Sequence, residues 1–97
     1  MKDGPRCEVY ASKRFEKQLR KLPERIKEAI SIWIQSVEEE GVREVRKLKG
    51  YHDEPLKGDR HGQRSVRLSR AYRLIYAEDQ RGNITIITLL EAHKHDY

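Results

Sequence analysis

At 97 residues, with 36% hydrophobic and 38% charged side chains, the chain has material for one thin core and a net charge of +5, because a domain of this size leaves much of its surface in water. No apolar run approaches the ~18 residues of a membrane span, and the first residues, MKDGPRCEVY, carry no apolar segment of the signal-peptide type. A single domain over residues 1–97, soluble and cytoplasmic, is expected. Its one cysteine, Cys7, is expected to be a buried, inert thiol rather than half of a disulfide.

Residues Cys7 to Ala11 read as a short strand ending at Ser12, a residue type suited to capping a helix. Phe15, Leu19 and Leu22 then fall at i, i+4 and i+7 among Lys13, Arg14, Lys17, Arg20 and Lys21, the stripe of an amphipathic helix. Pro23 ends that helix and opens a second, which runs to about Glu40 with Ile26, Ile30, Trp33 and Val37 on one face and Gly41 as its stop. Val42, Val45 and Leu48 suggest a short helical turn before a long loop from Lys49 to about Gly62, a length that in compact domains usually carries function. The period then changes to two. QRSVRLS, YRLIYAE and NITIITLLEAHK read as three strands, turning at Arg70-Ala71 and at DQRGN. The expected fold is therefore α+β in the order β-α-α-β-β-β, an antiparallel sheet with a two-helix hairpin on one face and the other face free.

The charge is unevenly spread. Between Lys57 and Arg73 there are six cations (Lys57, Arg60, Arg64, Arg67, Arg70 and Arg73) against Asp59 alone, so this segment carries the whole net charge. Spread over a loop and two strands, it resembles a phosphate-binding surface more than a solvated helix face. Alternation puts Val66 and Leu68 on one side and Arg67 on the other, and in the next strand opposes Tyr72, Leu74 and Tyr76 to Arg73 and Ile75. Glu91, His93 and His95 share a face near the chain end, with Tyr97 last. Guanidinium, imidazole and phenol groups suit metal-independent cleavage of RNA. A base takes the 2′-OH proton, an acid protonates the leaving oxygen, and arginine forks hold the charge on the phosphorane. The His93-x-His95 pair, with His52 or His61, also admits a metal site, but no third ligand is firmly spaced, so neither metal nor cofactor is expected.

The stretches PLKGDRHGQRSVRL, YRLIYAED and the ending EAHKHDY resemble the RelE/ParE superfamily of bacterial toxins from type II toxin-antitoxin pairs. PLKGDRHG is closest in pattern to the HigB and YafQ branches, RLSRAYRLIY to RelE itself, and the terminal His-x-Tyr to YoeB. The resemblance implies a ribosome-dependent mRNA endoribonuclease that cleaves A-site codons by 2′-OH attack. In that family Arg73 would contact the scissile phosphate, Arg67 would match a basic position of the preceding strand, and His95 and Tyr97 would share proton transfer in an order left open. His52, Lys57, Arg60, His61, Arg64 and His93 would be further contacts with RNA. A lysine of the RelE centre is replaced here by Arg64 or Ser65, so histidine-based chemistry is implied. The partners implied are a cognate antitoxin, the ribosome and mRNA, with operator DNA open through the antitoxin complex. Two alternatives remain: a ParE-like toxin that inhibits DNA gyrase without cutting RNA, and a basic RNA-binding module without catalysis.

Overall fold

The computed structural model describes residues 6–94. Strand β1, Arg6–Ala11, leads to Ser12, whose side chain accepts the Phe15 N–H at 3.1 Å and donates to the Leu90 carbonyl at 3.2 Å. The cap thus starts helix α1, Lys13–Arg20, and also ties it to the last strand. Helix α2, Glu24–Glu40, buries Ile26, Ile30, Trp33 and Val37 along one stripe. It stops at Gly41, where φ is +90, a region that costs glycine little and other residues more. The short helix α3, Val42–Arg46, buries Val42 and Val45, and the Val42 N–H donates to Sγ of the buried Cys7 at 3.4 Å. Leu48 does not join that stripe: α3 ends before it, and Leu48 is 55% exposed.

The long loop is more structured than its composition suggests. It contains 3-10 turns at Lys49–Tyr51 and Gly58–Arg60 and a two-residue strand β2, Glu54–Pro55. Strands β3, Gln63–Arg67, β4, Tyr72–Arg81, and β5, Ile84–Lys94, complete a sheet of order β1-β5-β4-β3-β2. β4 runs on to Arg81, and the turn shortens to Gly82-Asn83, with Gly82 at φ +59 where a type II′ hairpin needs glycine first. The expected α+β order and helix-covered sheet stand, with two corrections: β2 adds a fifth strand, and β1 pairs with β5 in parallel rather than antiparallel. β1 reaches its neighbour through the helices and the meander instead of a hairpin, the long connection that parallel pairing requires.

The helices cover one face of the sheet. Phe15, Ile26, Ile30, Trp33 and Val37 meet Val66, Leu74, Tyr76, Ile87, Leu89 and Ala92 in one apolar cluster, and the Trp33 and Tyr76 rings lie 5.1 Å apart. On the same side, Asp53, its side chain 1% exposed, accepts the Tyr76 hydroxyl and the Arg64 Nε–H, each at 2.6 Å. Arg46 lies 3.8 Å from Asp53, donates to the Tyr76 oxygen at 3.1 Å, and pairs with Glu78. Burial, then the bond to Asp53, pushes the Tyr76 phenol well above its ordinary range against the opposing pull of Arg46. Arg64 is therefore corrected: in register with Tyr76 and two residues from Val66, it faces the helices and not the open surface. Among the described residues no helix is long and apolar enough to cross a membrane.

Removing the Asp53 carboxylate would leave the Arg64 guanidinium and the Tyr76 phenol without their buried acceptor and take a counter-charge from beside Arg46. Asp53→Ala is expected to destabilise the fold by about 3–5 kcal/mol, read from urea unfolding.

Candidate functional site

The open face of the sheet follows from strand register. Val66 pairs with Leu74, and Leu74 with Ala92, all buried against the helices. Their neighbours must therefore point away, and Arg67 pairs with Arg73, which pairs with His93. These three side chains form one cross-strand row, spanning about 10 Å at the usual strand spacing. The next row on this face contains Glu54, Ser65, Ile75 and Glu91.

A β-bulge brings β5 into this arrangement. Tyr76 is in register with Leu89, and Ile75 with Glu91, leaving Leu90 as an extra residue. Before the bulge, Thr85, Ile87 and Leu89 are buried toward the helices; after it, Ala92 takes the buried side. Strict alternation would have put Glu91 and His93 on the side of Leu89. The extra residue turns them to the open face, a common use of bulges.

Arg67 and Arg73 are like charges directly opposite one another, an unfavourable pairing in an isolated sheet. Arg73 Nη1 donates to the Ser69 carbonyl at 3.3 Å. Arg67 Nε is buried, and among the described residues it has no hydrogen-bond partner. Neither guanidinium has an ion pair with a described residue. Two cations left in this way on one row can pair with an anion, and a phosphate accepts guanidinium forks well.

Beside them lies a second cationic group with its own counterion. Glu91, only 7% exposed, pairs with Arg60 from the loop, lies 3.8 Å from Arg14 of α1, and has His93 Nε2 at 3.4 Å. Burial would raise the Glu91 carboxyl, but the bond and charge of Arg60, helped by Arg14 and His93, hold it below the usual carboxylate range. Arg60 Nε also donates to Gln63 at 2.9 Å. His93 Nδ1 is 3.1 Å from the Lys94 carbonyl oxygen.

The expected site residues thus separate. Arg67, Arg73 and His93 come together; Arg60 reaches the same face but is engaged by Glu91; Arg64 lies on the opposite side. Lys57 and His61 are exposed in the loop, away from any ladder pairing. His52, at φ +47, places Nε2 3.7 Å from Glu54 at the sheet edge. His95 and Tyr97 lie outside the described residues. Among the described residues no three His, Cys, Asp or Glu side chains gather as a metal-ligand set. Sequence reading gave no role to Glu54, Glu91 or Arg14, although it set Glu91 on the face of His93. The signal for Glu54 was its place beside the PLKG stretch, whereas the contacts of Arg14 are set by the Ser12 cap and have no local signature.

No family model and no curated relative matches the chain. Solved structures do. YafQ from Escherichia coli superposes with a TM-score of 0.74 at 14% identity, covering 93% of this chain and 94% of that one. A YoeB/ParE toxin from Agrobacterium tumefaciens gives 0.71 at 18% identity, covering 92% and 99%. The RelBE2 toxin-antitoxin complex from Mycobacterium tuberculosis gives 0.66 at 23% identity, covering 94% and 99%. The fold is that of the RelE/YoeB-like toxins of toxin-antitoxin pairs.

The lowered carboxyl of Glu91 has a pH signature. A group whose folded value lies below its unfolded value, ordinarily about 4.3 for glutamate, adds stability that is present above the unfolded value and lost as pH falls through the folded one. Glu91→Gln is therefore expected to be less stable than wild type at neutral pH. The gap should close as the pH is lowered below about 4, followed by urea midpoints across that range.

Proposed function

We propose that the chain is the toxin of a type II toxin-antitoxin pair and a metal-independent endoribonuclease, cutting mRNA in the ribosomal A site by 2′-OH attack and so inhibiting translation. The observation that carries this reading is the row Arg67–Arg73–His93. Two arginines without ion pairs among the described residues meet an imidazole on the sheet face that no described helix covers. A gyrase inhibitor has no evident need for such a row.

In this reading Arg73 and Arg67 bind the non-bridging oxygens of the scissile phosphate and hold the extra charge of the phosphorane. The 2′-oxygen bonds to phosphorus as a base takes its proton. The bond to the 5′-oxygen breaks as an acid supplies a proton, leaving a 2′,3′-cyclic phosphate and a 5′-hydroxyl. His95 and Tyr97 divide these transfers, and the His93 imidazole extends the row toward the flanking phosphate. Glu54, with His52 beside it, offers a further acid–base pair at the rim. Lys57 and His61 are exposed loop groups able to meet RNA.

The partner proposed is a cognate antitoxin whose acidic and apolar segment covers the open face. The DinJ-YafQ and YoeB-YefM toxin-antitoxin complexes among the similar structures support a cognate antitoxin as partner.

Mapping mRNA 5′ ends after expression, with and without ribosomes, tests the proposal. In-frame cuts confined to translated messages are expected, whereas intact mRNA with stalled replication would identify a gyrase inhibitor. Arg73→Ala is expected to slow cutting about 100-fold or more. Full activity in both His95→Ala and Tyr97→Phe would remove those two residues from proton transfer.

A further inference from the structure

Glu91 sits in an unexpected place. A carboxylate on a face that binds RNA repels the phosphates, and this one is also nearly buried, at 7% exposure. Its contacts come from three parts of the chain. Arg60 arrives from the loop between β2 and β3, Arg14 from the first turn of α1, and His93 from two residues along β5. Ser12, Arg14, Arg60, Gln63, Leu90 and Glu91 line a cleft of about 410 Å³ at this junction.

Arg60 is held at two points. Its Nε–H donates to Gln63 at the start of β3, and its Nη2 pairs with Glu91 on β5, so the guanidinium bridges β4 on the open side. The backbone bonds Arg60 N–H to Lys57 and His61 N–H to Gly58 only close the loop upon itself. The side chain of Arg60 is what carries that closed loop across to β5.

We propose that Glu91 is a positioning residue which, through Arg60, fastens the basic loop over the sheet beside the Arg67–Arg73–His93 row. This rests on the nuclease reading for its effect on cutting, but the fastening itself does not. Arg60 then acts as a strut and not as a phosphate ligand. Lys57 and His61, on the same loop, gain a fixed approach to the RNA from this attachment.

Charge and position make opposite demands, which allows the two to be separated. Glu91→Gln keeps the side chain's shape and makes the face more positive by one charge, so affinity governed by charge alone rises. If the residue works by position, cutting falls even though binding does not. The experiment compares wild type, Glu91→Gln, Arg60→Ala, Arg60→Lys and the Glu91→Gln/Arg60→Ala double variant. It measures single-turnover cutting of ribosome-bound mRNA, the KM for that complex, and amide hydrogen exchange over residues 57–62.

Glu91→Gln and Arg60→Ala are each expected to lower the cutting rate about tenfold or more, with KM for Glu91→Gln unchanged or lower. Both should speed exchange in the loop, Arg60→Lys should recover part of the loss, and the double variant should be no worse than either single one, as for residues acting as one unit. Wild-type rate and wild-type exchange in Glu91→Gln would overturn the proposal, as would multiplying effects in the double variant. Should wild type cut no RNA, the nuclease reading fails and loop exchange alone decides: faster exchange in Glu91→Gln supports the fastening, and unchanged exchange refutes it. The Arg60 side chain is 41% exposed, so Arg60→Ala remains a folded control should Glu91→Gln lose structure.

Discussion

Arg67 faces Arg73 because Val66 and Leu74 must face the helices. A chain of 97 residues cannot leave Val66, Leu74 and Ala92 in water, and their burial sets the side on which every alternate residue of β3, β4 and the end of β5 emerges. A fully buried aliphatic side chain is worth about 1.5–3 kcal/mol, against the roughly 0.2–1 kcal/mol scale of a cross-strand pair. The core therefore outweighs the repulsion between the two arginines and holds them opposed. A bound phosphate would turn that repulsion into shared attraction.

Two buried carboxylates gather other cations, one on each side of the sheet. On the helix side, Asp53 receives Arg64 and Tyr76 and lies near Arg46, anchoring the segment between α3 and β3. On the open side, Glu91 pairs with Arg60 and lies near Arg14 and His93. The basic run from Lys57 to Arg73 is thus several devices. Arg64 is committed to the fold and Arg60 to an ion pair, while Arg67 and Arg73 have no carboxylate partner among the described residues. Net charge alone, which treats all six cations alike, does not distinguish them.

Much of this was legible in the sequence because it depends on local periodicity. The Ser12 cap, the Phe15 stripe, the Ile26-Ile30-Trp33-Val37 stripe and the Gly41 stop are readable from neighbours a few residues apart. So is the division between Val66 and Arg67. The same alternation assigns Arg64 to the side of Val66, against its expected place among the RNA contacts. Less local features were not readable. The bulge at Leu90 lies within Leu-Leu-Glu-Ala, with no glycine to mark it, yet it decides which face receives Glu91 and His93. The parallel pairing of β1, the partners of Asp53 and the reach of Arg14 to Glu91 each depend on contacts far along the chain.

In the proposed function RNA lies on the sheet face away from the helices, with a phosphate between Arg67 and Arg73. Titration of the isotope-labelled protein with a short RNA made uncleavable by 2′-deoxy substitution, followed by NMR, tests this most directly. The account expects the largest shifts at Arg67, Arg73 and His93, with the Arg67 Nε–H signal moving strongly as it gains an acceptor. Shifts concentrated on α2 or along β1, with those three residues unmoved, would contradict it.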